Sequence, residues 1–119
     1  MKLVGVRFKN GVNGTIKEGQ KMYEFICPIE TIELGDYVMV EVYSFTGRYY
    51  SKRSFAMGRV DSIVEFDEEN MLANKKAPFS FVFCKVPVDV EARCQSLQKL
   101  KKRLERRGVR FRKKVGKVK

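Results

Sequence analysis

Period-two alternation, in short stretches, is the feature that most limits what this chain can fold into. In KLVGVRFK, residues 2–9, Val4, Val6 and Phe8 fall on one side and Leu3, Gly5 and Arg7 on the other, the mark of a strand with one buried face. KMYEFICP, residues 21–28, sets Tyr23, Phe25 and Cys27 against Met22, Glu24 and Ile26, and Pro28 ends it. YVMVEVYSF, residues 37–45, turns Val38, Val40 and Val42 inward and leaves Tyr37, Met39, Glu41 and Tyr43 outward. A further hairpin arm near Arg48 to Arg53 leads into FAMGRVDSIVEF, where Gly58 marks a bulge or a close backbone approach. SFVFCKV, residues 80–86, is the last strand, with Phe81 and Phe83 opposite Val82 and Cys84.

Turn residues separate these stretches. Asn10-Gly11 and Asn13-Gly14 open a long hairpin loop over residues 10–20, and Leu34-Gly35-Asp36 and Thr46-Gly47 mark later turns. The acids Glu65, Asp67, Glu68 and Glu69 form a surface loop that Pro78 closes. Short strands at this spacing predict a mainly β (α+β) fold. The expected architecture is a small SH3-like or OB-like antiparallel barrel of five to six strands over residues 1–88, with a C-terminal basic helix and tail.

Beyond the barrel the pattern changes to a helical one. Asp89 is a natural N-cap, Val90, Cys94, Leu97 and Leu104 recur along one face, and Gly108 is a natural stop, which predicts a helix over 89–108 and a basic tail over 109–119. The apolar stripe is wide enough to dock on the barrel or to pair with a second copy, so Val90, Cys94, Leu97 and Leu104 are also a candidate seam for a homo-oligomer. The whole chain carries +11, and from Lys99 to Lys119 there are twelve Lys and Arg against a single acid, Glu105. The charge is therefore an appendage on a balanced body. Lys and Arg in a last helical turn suit the macrodipole, but the run continues past the helix, where no dipole explains it. It points to an anionic partner. The expected phosphate contacts are Lys99, Lys102, Arg103, Arg106, Arg107, Arg110, Arg112, Lys113 and Lys114. Tyr49 and Tyr50, in the basic-aromatic tip GRYYSKR, and Phe111 in the tail are candidates to stack on bases. Equally, Tyr49 or Tyr50 covers a barrel end, and Phe111 tucks back onto the core.

Catalysis finds little support. The chain has no histidine, so the commonest general base and metal ligand is missing. There is no phosphate-binding glycine loop, dinucleotide fingerprint, nucleophile elbow or zinc-protease motif. Asp61 with Glu65, or Asp36 with Glu41, are the carboxylate pairs that can be drawn. The reading is a non-enzyme without cofactor or metal. Cys27, Cys84 and Cys94 are odd in number and widely spaced, which fits a cytoplasm. No apolar run is long enough to span a bilayer.

The order of parts YEFICPI, LGDYVMV, MGRVDSI and FVFCKVPVDVEARCQSLQKLKKRLERR resembles a group of small barrel-plus-basic-helix proteins from phages and prophages of Gram-positive bacteria. The likeness covers most of residues 21–107. It carries no activity with it; it implies a phage origin and a bacterial cytoplasm. The expectation is a phage-type nucleic-acid binder. The alternative is an anti-defence protein, either an oligomeric sponge for a cyclic-nucleotide immune signal, gripped by Arg103 and Arg107 with Phe79, Phe81 or a Tyr stacking a base, or an inhibitor of a host defence protein.

Overall fold

The structure, a computed structural model, describes residues 2–45, 51–65, 67–69, 72, 78 and 80–112. Five strands come first: β1 (Lys2–Phe8), β2 (Tyr23–Cys27), β3 (Tyr37–Phe45), β4 (Ser51–Glu65) and β5 (Ser80–Lys85). The C-terminal helix, α1 (Val90–Arg106), follows. The strands close into a barrel in the order β1-β2-β5-β3-β4. The chain divides into two compact units, Met1–Pro87 and Val88–Lys119.

The barrel is lined by the residues that alternation turns inward. Val4, Val6, Val38, Val40, Val60 and Val82 form the core with Phe25, Cys27 and Ile32. Valine dominates because a five-stranded barrel has a narrow interior, and β-branched side chains pack well on a pleated surface. Phe25 is fully buried, and Phe8 meets its ring edge-on at 6.1 Å between centroids. Burial pushes the Cys27 thiol above its ordinary range. All three cysteines are free.

Two expectations are refined. The barrel is not antiparallel throughout: β2 and β5 run parallel, through Phe25↔Ser80 and Ile26↔Phe81, while the other four junctions are antiparallel. Five strands in a closed ring cannot alternate in direction all the way round, so one junction must be parallel. It falls where a long connection rather than a hairpin delivers β5. Further, the arm near Arg53 and the stretch FAMGRVDSIVEF are one strand of 15 residues, not two elements. The first part of β4 pairs with β3 and the last part with β1.

Gly58 sits at that handover, opposite both Val38 and Phe8. A Cβ there would strike the Val6 side chain and come within 2.7 Å of the Arg7 carbonyl oxygen, so the close approach requires glycine. The bulge lies three residues later. Gly5 pairs with Ser62 and Val6 with Val60, leaving Asp61 as the extra residue of β4.

Asp61 is polar for a reason. Its carboxylate accepts from Arg7 Nη1 at 2.8 Å and from Arg59 Nε and Nη2 at 2.7 and 3.1 Å. Burial alone would raise its pKa, but the bonds from Arg59 and Arg7 outweigh burial and hold it below the ordinary carboxylate range. Arg7 Nε also donates to the Gln20 carbonyl at 2.8 Å, and Gln20 Nε2 to the Phe8 carbonyl at 2.6 Å. The long loop between β1 and β2 is thus tied to the barrel wall. Tyr37, expected on the outside, is buried beside its register partner Arg59.

Both helix ends are capped as the sequence predicts. Asp89 Oδ1 accepts from the Ala92 backbone at 3.1 Å. At the other end Gly108 has φ +103°, its N–H donates to the Glu105 carbonyl, and the Val109 N–H donates to the Leu104 carbonyl, each at 3.0 Å. This is a Schellman motif, and it needs glycine at the left-handed position.

Candidate functional site

In α1 the chemistry follows from spacing. Lys99, Lys102, Arg103 and Arg106 lie three, four and seven residues apart, so they share one face. Val90 and Cys94, the buried residues of the helix, lie on the opposite face. All four cations are exposed, and so are Arg107 at the C-cap and Arg110 and Arg112 beyond it. None of these seven forms an ion pair among the described residues. Glu105 is the lone acid in the run. An uncompensated row of cations spanning about two helical turns, roughly 10 Å long, can neutralise neighbouring phosphates along a strand.

The stripe proposed as an oligomer seam is divided. Val90 and Cys94 are buried, Leu97 is exposed and Leu104 half-buried. Phe111 is engaged with α1: the Lys101 ammonium lies 5.4 Å from its ring centroid, and the ring stays about half exposed. This follows from the Schellman turn, which reverses the chain over the last helical turn. Lys113, Lys114, Tyr49, Tyr50 and Phe79 lie outside the described residues.

The barrel carries a second group. Tyr43, Phe55, Phe81 and Phe83 are 44, 56, 56 and 68 % exposed. Phe55 and Phe83 lie 5.1 Å apart between ring centroids, tilted by 48°. The Arg53 guanidinium stands 5.1 Å from the Tyr43 ring. Glu41 lies among these side chains, accepting from Ser80 Oγ at 3.1 Å and facing Arg53 at 3.9 Å. The Phe55–Phe83 pair escapes sequence reasoning because it joins two strands that are not hairpin partners. A bulge between Met39 and Val40 adds Phe83 as the extra residue of β5. The available signal was Val82: once valines line the interior, the phenylalanines on either side must point out.

The carboxylates drawn as catalytic pairs have other partners. Asp61 bridges two arginines, Asp36 accepts from the Glu33 backbone at 2.8 Å and faces Lys85 at 3.3 Å, and Glu41 binds Ser80. Among the described residues no group of three or more Cys, Asp or Glu converges to hold a metal, and no helix is long and apolar enough to cross a membrane.

Compared with protein-family models, with curated proteins and with solved structures, the chain gives no match. The functional reading therefore rests on the residues themselves.

Proposed function

We propose that this chain is a non-enzymatic, phage-type binding protein that engages the phosphates of nucleic acid through α1 and the basic residues after it. The observation that carries this is the row Lys99, Lys102, Arg103 and Arg106, exposed on the face opposite the buried residues of the helix and without an acidic partner. Four like charges at three- and four-residue spacing repel by a few tenths of a kcal/mol per pair. A counter-ion or a polyanion relieves that repulsion, and release of condensed counterions from nucleic acid drives binding. Such contacts position the protein without reading sequence.

The test is binding of a labelled duplex of about 20 base pairs at roughly 50 and 300 mM salt, on protein stripped of carried-over nucleic acid. The expected result is steep loss of affinity with salt. Replacing Lys99, Lys102, Arg103 and Arg106 together by Ala should make the slope of log K against log salt shallower by roughly 3–4. The same variant should melt no lower than the parent, because it loses repulsion and gains helix propensity. An unchanged slope would sink the helix as the binding element. No binding at either salt would direct attention to the anti-defence reading, with cyclic nucleotides and host defence proteins as ligands.

A further inference from the structure

We infer that the outer face of β3, β4 and β5 is a stacking surface for the unpaired bases of a single nucleic-acid strand, a reading that rests on the phosphate-binding function proposed above. Tyr43, Phe55, Phe81 and Phe83 stand on three adjacent strands of the ring. Among the described residues, every exposed large hydrophobic on β3, on β5 and on the part of β4 paired with β3 is aromatic. Exposed rings present flat π-faces on which bases can stack.

The polar groups around the rings agree with this. Arg53 stands at the Tyr43 ring and supplies a cation beside the stack. Glu41, the carboxylate within the patch, is engaged by Ser80 and Arg53, which lessens its repulsion of a passing phosphate. Phe83 is the extra residue of β5 at a bulge, where the regular ladder is interrupted. A closed ring has no free edge for strand addition, so a partner on this face must engage side chains. In a duplex the base faces are already stacked on one another. Only a single strand has them free.

The experiment compares a labelled single strand of about 20 nucleotides with its duplex at roughly 150 mM salt, for the parent, Phe55→Ala/Phe83→Ala and Phe55→Leu/Phe83→Leu. The parent should bind the single strand about tenfold or more tightly than the duplex. The alanine pair should lose at least about tenfold on the single strand with duplex affinity unchanged, and the leucine pair should behave like alanine because it keeps apolar area but has no π face. These rings are exposed, so both variants should melt like the parent. Equal binding of single strand and duplex by the parent overturns the stacking surface and leaves the phosphate reading standing. Absence of binding to either overturns both. Full single-strand affinity in the leucine pair, equal losses on both probes, or self-association of the parent that the alanine pair abolishes would each overturn it as well, the last by making the face a contact between protein copies.

Discussion

The two units handle charge in opposite ways. In the barrel, cations and acids are matched: Arg7 and Arg59 share Asp61, Lys85 faces Asp36, Lys2 faces Glu65 and Arg53 faces Glu41. In the helix unit, Lys99, Lys102, Arg103, Arg106 and Arg107 stand without an ion pair among the described residues. The difference separates two uses of the same residue types. A guanidinium in the barrel wall ties strands and loops together. One on α1 is tied to no acid among the described residues and stays exposed, where in the last turn it complements the helix dipole.

Substitutions at the barrel's paired charges and close-packed glycine should therefore change stability and leave phosphate binding alone. The largest effect is expected at Gly58→Ala, where a methyl group meets Val6 and the Arg7 carbonyl. A loss of about 3 kcal/mol is expected in chemical denaturation, since the obstacle is partly backbone. Full stability there would show that β4 passes β1 less closely than described. Asp61→Ala leaves Arg7 and Arg59 without their shared acceptor and should cost about 2 kcal/mol. Its phosphate affinity should stay at the parent level; a changed affinity would break the division between the units. Because the folded pKa of Asp61 is depressed, its contribution is fully present above the unfolded value of about 3.9. That contribution is lost as pH falls through the lower folded value, so the gap between parent and Asp61→Ala should close in acid melts. The smallest effect is expected at Gly108→Ala, about 1 kcal/mol, from forcing a side chain into the left-handed region. Amide exchange at Val109 would show it as a loosened last turn.

Much of this fold is legible in the sequence, and what is not has a physical cause. Alternation sorts the residues of a strand onto two faces, one of which forms the core, as at Val4 and Val6, Phe25 and Cys27, and Val38 and Val40, although Tyr37 is buried from the other face. It cannot give neighbours, because the pleat is the same whichever strand lies alongside. So the junction of β2 with β5 and the double pairing of β4 are seen only in three dimensions. The helix is legible to its caps because Asp89 and Gly108 act locally. The cationic row is legible for the same reason, being a matter of spacing along one helix. The Phe55–Phe83 pair is not, since it depends on a bulge and on an intervening strand.

Ring closure by β5 has a consequence during synthesis. β1 pairs with β2 early but reaches its second partner, β4, only when the chain has been made as far as Glu65, and the ring completes only with Ser80 and Phe81. Until then a growing chain leaves one open edge on β2 and one on β3, whose backbone groups invite other chains. A product that stops short of Ser80 keeps both edges bare and should aggregate, while one that stops after Pro87 has the whole ring and should stay dispersed. The interval between those two stop points is a handful of residues, and within it the nascent chain passes from hazard to finished barrel.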